Sequence, residues 1–142
     1  MAGGPPDGRP PGLPPSGGDD GSERGGASEP TDGQTFLRGA QRTDATGAAV
    51  FDTVYPGWYQ GRTPHIHVKV HVSGQNVHTG QLYFEEAVSR AVYRRAPYAS
   101  HGQPTTVNSS DGIYEQGGRQ STLALTRRAD GYVGRLMLGV QA

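Results

Sequence analysis

The stretch that decides the fold is FDTVYPGWYQGRTPHIHVKVH, residues 51–71. From Thr63 to Val72 polar and aliphatic residues alternate, which is typical of a β-strand. Successive side chains of a strand point to opposite faces, so His65 and His67 share one face. Two imidazoles held side by side on a strand provide half of a metal site.

Tyr59 precedes His65 by six residues, a distance that a turn spans easily, so its phenolate can join the two histidines. Two nitrogens and one anionic oxygen suit a hard, redox-active cation, and ferric iron is the leading candidate. Two other interpretations stay open. The histidines can belong to the polar outer face of an edge strand that continues through Lys69 and His71. A cupin-type site also uses His-x-His, but it expects a glutamate that the following residues lack.

Composition divides the chain into two parts. The first 34 residues contain 10 Gly and 7 Pro, no aromatic residue and only Leu13 among the large aliphatic residues. Such a segment buries too little apolar surface to offset its ordering entropy, so residues 1–34 are predicted to be disordered. Residues 35–142 have the size of a small β-sandwich domain.

Charge and cysteine content exclude several classes of function. The 13 basic and 13 acidic residues are interspersed and give no basic stripe for a nucleic acid. The absence of cysteine excludes disulfides and thiolate chemistry. No apolar run reaches the roughly 18 residues of a membrane span, and the N-terminus lacks the apolar core of a signal peptide. As written, the chain is expected in the cytoplasm, or outside the cell if a longer N-terminus carries a signal.

The pattern along the chain predicts a mostly β protein with one short helix. Strands are predicted at Ala48–Val54, Thr63–Val72, Gly80–Phe84, Ser121–Arg127 and Tyr132–Val140, and a short strand or strand end at Thr35–Gly39. The last two should form a hairpin around an Asp130-Gly131 turn. Turns are predicted at Asp44–Gly47 and Tyr55–Tyr59, and a loop-rich region at Ala96–Gly118.

Two buried faces follow from the periodicity. On the central strand the aliphatic face should be core, and it comprises Ile66, Val68, Val70 and Val72. The helix is predicted over Glu85–Tyr93, with one buried stripe formed by Ala87, Val88, Ala91 and Val92.

Arg62 and Gln81 are further candidates for the site. Arg62 lies between the tyrosine and the histidines, where a guanidinium can stabilise anionic substrate oxygens; otherwise it is a surface charge. Gln81 lies on the next predicted strand, and its side chain points either into the same cavity or into solvent.

These residues together resemble the C-terminal half of the intradiol ring-cleavage dioxygenases, which include the catechol and protocatechuate dioxygenases. The resemblance rests on YPGWY at 55–59, GRTPHIH at 61–67 and QLYF at 81–84, and it extends over Thr35–Tyr98. Each piece alone is weak, but the joint pattern is specific.

The resemblance implies an all-β fold, a partial β-sandwich of the intradiol dioxygenase type, around a mononuclear non-haem Fe(III) centre. The family's metal ligands fall on Tyr59, His65 and His67, and its catalytic arginine and glutamine fall on Arg62 and Gln81. The implied reaction uses O2 to break a catechol ring between its two hydroxylated carbons, which gives a muconate-type diacid.

One ligand of the family is missing. The family has a second, axial tyrosine before the PGxY motif, whereas no tyrosine precedes Tyr55 here. Three explanations compete: a truncated or mis-started reading frame, a short protein that binds iron through three ligands, or a decayed relative without turnover. Tyr98, Tyr114, His78 and His101 are downstream residues that can fill the open position, and spacing selects none of them.

The sequence therefore favours an Fe(III)-dependent oxidoreductase with a small aromatic diol and O2 as its partners. A non-catalytic β-sandwich module that binds a metal or an aromatic ligand is the alternative. No nucleic acid or membrane is expected as a partner, and the oligomeric state, a homo-oligomer included, is left open.

Overall fold

The structure, a computed structural model, describes Gly33 and residues 37–141. These described residues form four strands and one α-helix, in chain order β1 His65–Val72, β2 Gln75–Tyr83, α1 Glu86–Val92, β3 Ala124–Arg128 and β4 Gly131–Arg135. Three short 3₁₀ turns lie between α1 and β3, at Tyr98–His101, Asn108–Ser110 and Tyr114–Gln116. The prediction of a mostly β chain with one short helix is confirmed. The predicted disordered segment, and Thr35 and Phe36 after it, lie outside the described residues apart from Gly33.

The central element is the antiparallel hairpin of β1 and β2. Val72 pairs with Gln75, so only Ser73 and Gly74 form the turn, with φ angles of 51° and 81°. Positive φ at both positions is the geometry of a type I′ turn, which matches the twist of the flanking strands. This turn makes β2 begin earlier than Gly80, the predicted start. The register places Tyr83 opposite His65 and Gln81 opposite His67.

The second hairpin is formed by β3 and β4, around the predicted Asp130-Gly131 turn. A parallel bridge between Tyr83 and Thr122 links the chain before β3 to the end of β2. Two backbone bonds support the bridge: the Tyr83 N–H donates to Ser121, and the Leu123 N–H donates to the Tyr83 carbonyl. The closing strands were therefore predicted correctly, with boundaries that differ by a few residues.

The core of the described residues is aromatic rather than aliphatic. Tyr83, Phe84, Val92 and Tyr93 are its buried hydrophobic residues. The aliphatic face of β1, predicted to be core, is only half-buried. On this strand one residue of the polar face, His65, is therefore more buried than the aliphatic residues that were predicted to be core.

Two other predictions are wrong in detail. Residues 48–54 form no strand, since no described strand pairs with them, and Val50 is 76% exposed. In α1 the buried residues are Ser89 and Val92, whereas Ala87 and Ala91 are exposed. The helix turns Ser89 inward because its hydroxyl bonds to the Tyr55 hydroxyl at 2.8 Å.

Among the described residues, no helix combines the length and the apolar character needed to cross a bilayer.

Candidate metal centre

The polar face of the first hairpin collects the predicted ligands. His65 and His67 project from β1 as expected, and their ring centroids lie 5.0 Å apart with the planes at 71°. Tyr59 approaches from the preceding turn, with its ring centroid 5.7 Å from that of His65. The structure thus brings the three predicted ligands together on one face.

The tautomer of His65 follows from its hydrogen bonds. Its Nδ1 lies 2.7 Å from the Thr63 carbonyl, which can only accept, so Nδ1 carries the proton. Nε2 of the neutral ring is then an acceptor, and it lies 3.3 Å from the Tyr59 hydroxyl. A backbone carbonyl that fixes the ring and frees the other nitrogen is the usual support of a metal-binding histidine.

Tyr59 is positioned by the turn around it rather than by burial, since 56% of the residue is exposed. The Arg62 N–H donates to the Tyr59 carbonyl at 3.3 Å, and Gly61 adopts φ +88°, which favours glycine. On the other side, Trp58 is clasped to the loop that contains His101 and Gly102.

This clasp has three contacts. The Trp58 indole N–H donates to the Gly102 carbonyl at 3.0 Å, and His101 Nε2 donates to the Trp58 carbonyl at 3.0 Å. The two rings lie against each other with centroids 4.4 Å apart. Trp58 therefore packs and anchors the tyrosine turn.

The start of the turn is fixed to the aromatic core. The Tyr55 ring contacts Phe84 at a centroid distance of 4.5 Å. The Tyr98 hydroxyl donates to the Tyr55 carbonyl at 3.0 Å, and the Tyr93 hydroxyl donates to the Pro56 carbonyl at 2.7 Å. Burial raises the pKa of Tyr55 and of Tyr93, so both phenols stay protonated.

Arg62 and Gln81 meet beside the histidines. Arg62 Nη2 donates to Gln81 Oε1 at 2.5 Å, and the Tyr83 hydroxyl donates to the same oxygen at 2.8 Å. Gln81 is buried, so the solvent-facing interpretation of this residue is wrong. Both partners of Oε1 are donors, which fixes the amide orientation. The Gln81 NH2 group therefore has its two donors left, with no partner among the described residues.

Asp111 is the residue that sequence reasoning missed. Its side chain is fully buried, and Oδ2 accepts from Arg62 Nε and from the Thr63 N–H, both at 2.8 Å. Oδ1 accepts from the N–H groups of Ile113 and Tyr114 at 2.9 and 3.0 Å. The sequence indicates only an Asp-Gly turn at this position. Locally, Asp111 caps the next turn because it accepts hydrogen bonds from the N–H groups of that turn.

Asn108 supports the same loop. Its amide nitrogen donates to the Phe84 carbonyl at 2.9 Å, and its oxygen accepts from the Thr63 hydroxyl at 2.7 Å. The loop that contains Asn108 and Asp111 thus holds the segment just before the two histidines.

The electrostatics keep the histidines neutral. Burial lowers the pKa of His65, and the charge of Arg62 acts in the same direction. Partial desolvation also lowers the pKa of His67, and the charges of Arg62 and Lys69 act in the same direction. Neutral imidazole is the form that binds a metal.

The carboxylate of Asp111 is ionised in these surroundings. Burial alone would raise its pKa, but the N–H groups of Tyr114 and Thr63 and the side chain of Arg62 outweigh burial and lower it. The pKa of Tyr83 is raised, chiefly by burial, so its hydroxyl keeps the proton that it donates to Gln81.

The downstream candidates for a fourth ligand either have other partners or lie on the other face of the hairpin. The hydroxyl of Tyr98 bonds to Tyr55, that of Tyr114 lies 3.4 Å from the Thr122 hydroxyl, and His101 belongs to the Trp58 clasp. His78 pairs with Val70, on the aliphatic side of the hairpin. None of the four is brought to the ligand set. The described residues also contain no group of three His, Cys, Asp or Glu residues that could hold a metal.

Tyr59, His65 and His67 nevertheless fit a cation. Donor atoms bound to one cation at about 2 Å each lie about 3 Å apart, close to the 3.3 Å between the Tyr59 oxygen and His65 Nε2. The set contains no sulfur, and one potentially anionic oxygen with two nitrogens suits iron. The chemistry of the donors and the spacing of these two atoms thus agree with the ferric site that the resemblance implies.

Solved structures provide the comparison. An intradiol ring-cleavage dioxygenase from Tetranychus urticae is 35% identical, with a TM-score of 0.72 over 78% of this chain and 56% of its own. A crystal structure of a dioxygenase is 34% identical, with a TM-score of 0.73 over 80% of this chain and 57% of its own. No family profile and no curated protein sequence matches the chain.

The chain thus shares the fold of structures described as intradiol ring-cleavage dioxygenases, and the resemblance drawn from its motifs is confirmed. It spans a little more than half the length of these two structures.

Proposed function

We propose that the chain is an oxidoreductase of the intradiol type that binds Fe(III) through Tyr59, His65 and His67. The observation that carries the proposal is the convergence of the Tyr59 hydroxyl and His65 Nε2 at 3.3 Å. His67 stands beside them on the same strand face, with its ring 5.0 Å from that of His65. The likeness to an intradiol ring-cleavage dioxygenase supports the same assignment.

The proposed reaction joins one catechol with one O2. Both oxygen atoms enter the product, the bond between the two hydroxylated carbons breaks, and a muconate-type diacid forms. When bound, Fe(III) supplies a Lewis acid that orients the diol and activates it toward O2.

The chain's own groups have separate tasks in this proposal. The Gln81 NH2 group, whose oxygen is held by Arg62 and Tyr83, donates to an oxygen of the substrate where negative charge develops. The guanidinium of Arg62 adds positive charge at the same place. Tyr59 is 56% exposed, so a diol from solvent can reach it.

The first experiment loads the protein with ferric iron and records the visible spectrum. We expect the broad band of tyrosinate-to-iron charge transfer, and we expect it to shift on addition of catechol. The His71→Ala variant is the control and should keep the band, because His71 is an exposed histidine farther along the same strand and not one of the proposed ligands. A colourless wild-type protein under iron loading would exclude the ferric tyrosinate site.

A non-catalytic module that binds a metal or an aromatic ligand is the second candidate. It is favoured by the ligand count, because Tyr98, Tyr114 and His101 have partners elsewhere and His78 lies on the aliphatic side of the hairpin. Oxygen uptake separates the two candidates. The dioxygenase consumes one O2 per catechol and yields a muconate, whereas the module shows the spectral shift without any uptake.

A further inference from the structure

Asp111 is connected to the candidate site through a continuous chain of hydrogen bonds. Its Oδ2 accepts from Arg62 Nε, and Arg62 Nη2 then donates to Gln81 Oε1. One guanidinium thus bridges a fully buried carboxylate and a glutamine of the site face, with 18% of the arginine side chain exposed.

The Asp111 carboxylate has no free acceptor position for a substrate. Each of its oxygens accepts two hydrogen bonds, from Arg62 and Thr63 on one and from Ile113 and Tyr114 on the other. Asp111 therefore acts on the site through other residues. A buried ion pair with this many hydrogen bonds has a fixed geometry, since its partners tolerate little displacement.

Gln81 is the residue whose orientation depends on this chain. Because Arg62 and Tyr83 both donate to Oε1, the NH2 group is turned away from them. Without the arginine, one of the two donors that favour this orientation is lost, and the amide can rotate. An amide that rotates presents its oxygen to the substrate for part of the time, and an oxygen would repel a developing negative charge.

We propose that Asp111 is a positioning residue for catechol binding, which holds Arg62 so that the Gln81 NH2 group points at the substrate oxygens. This inference rests on the proposed function for its substrate. The orientation of Gln81 is independent of the proposed function, because it is set in the protein without metal.

The test uses two readouts on the full chain. The first follows the side-chain NH2 resonances of Gln81 in the metal-free protein by NMR, assigned with Gln81→Glu. In wild type we expect two well-dispersed signals, and in Asp111→Asn we expect them to move toward the values of a freely rotating amide. The matched control is Asp130→Asn, in the exposed β3–β4 turn, which should leave these signals in place.

The second readout is the affinity of the iron-loaded protein for catechol, measured from the spectral shift. Asp111→Asn should weaken binding about tenfold, the loss of about one charge-assisted hydrogen bond, while the charge-transfer band without catechol stays unchanged. In an Arg62→Gln background the same substitution should have no further effect. An additional loss in that background, or a displaced band, would mean that Asp111 has only a structural role and would overturn the proposal.

Two further results distinguish a failure of this inference from a failure of the proposed function and from misfolding of the variant. If Asp111→Asn releases the Gln81 signals but the wild-type protein binds no catechol, the substrate is wrong and the orientation stands. If Asp111→Asn does not fold, Arg62→Lys keeps a positive charge beside Asp111 but cannot donate to Asp111 and Gln81 at the same time. That variant should also release the signals, and unchanged signals would overturn the proposal.

Discussion

Two polar groups of residues lie side by side on the first hairpin, and they differ in how the fold treats them. The candidate ligands, Tyr59, His65 and His67, share a single hydrogen bond of 3.3 Å, and Tyr59 and His67 are exposed. The neighbouring network of Arg62, Gln81 and Asp111 is held by hydrogen bonds of 2.5–3.0 Å and is largely buried. The fold therefore completes the network by itself, whereas the ligand set needs a bound ion to hold its members together.

This difference predicts opposite consequences of substitution. Changes in the two exposed ligands, Tyr59 and His67, should abolish metal binding at little cost in stability. Changes in the network should cost stability and weaken substrate binding while the metal stays bound.

The largest expected effect is that of Tyr59→Phe on the iron spectrum. Loss of the phenolate should remove the charge-transfer band completely, because the band requires an oxygen bound to iron. The free energy of unfolding should fall by less than about 1 kcal/mol, since a long, exposed hydrogen bond is all that is lost. Visible spectra and urea unfolding measure the two quantities. A retained band would show that another residue supplies the phenolate.

Asp111→Asn should produce the largest loss of stability. Removal of one partner of a buried ion pair leaves the other charge uncompensated, and the expected cost is about 3–5 kcal/mol. That is a large part of the roughly 5–15 kcal/mol that a domain has. Urea unfolding with Asp130→Asn as the control provides the comparison. A cost below about 1 kcal/mol would remove the contrast between the network and the ligand set.

Arg62→Lys should weaken catechol binding by about tenfold. An ammonium keeps the charge but cannot donate to Asp111 and Gln81 at the same time as a planar guanidinium does. Titration of the iron-loaded variant with catechol measures the change, and its band without catechol should match that of wild type. Equal affinity in the lysine variant would show that charge alone matters at this position.

The stability difference between wild type and Asp111→Asn should depend on pH. The pKa of Asp111 is lowered from 3.8 in the folded protein, so the folded state binds fewer protons than the unfolded state. The contribution of this carboxylate is fully present above its unfolded pKa and is lost as the pH falls through the lowered folded value. The urea midpoints of wild type and Asp111→Asn should therefore lie farther apart at about pH 6 than at about pH 3. A difference that does not change with pH would mean that Asp111 is not the titrating group.

The smallest effect is expected for Lys69→Ala. Lys69 is exposed on the same strand as the histidines, and its side chain makes no hydrogen bond or ion pair within the described part of the chain. Unfolding free energy should change by no more than about 0.5 kcal/mol, and iron loading should be unaffected. A loss of iron in this variant would extend the site along the strand.

The ligand positions could be predicted from the sequence because they depend on local geometry. The alternation after Pro64 is enough to place His65 and His67 on one face of a strand. The pairing of Gln81 with His67 depends on a two-residue turn at Ser73 and Gly74, which lies outside the predicted start of β2 at Gly80. The roles of all these residues remain predictions.

Asp111 could not be predicted, and the reason is physical. It lies 49 residues from Arg62, in a loop without any periodicity, and its partners are fixed by tertiary packing alone. The strand predicted at residues 48–54 does not form, for a related reason. Its residue types favour a strand, but a strand needs a neighbour, and none is described beside it.

The clasp between Trp58 and the loop at His101 and Gly102 has a consequence for the order in which the ligands assemble during folding. The histidines belong to a hairpin whose strands are adjacent in sequence, and such hairpins form within about 1–10 μs. Tyr59 is fixed through contacts that span 43 and 44 residues, and contacts of that separation form late because a long loop must close first. We therefore expect both imidazoles to be in place before the phenol, so that the tyrosine is the last ligand to arrive.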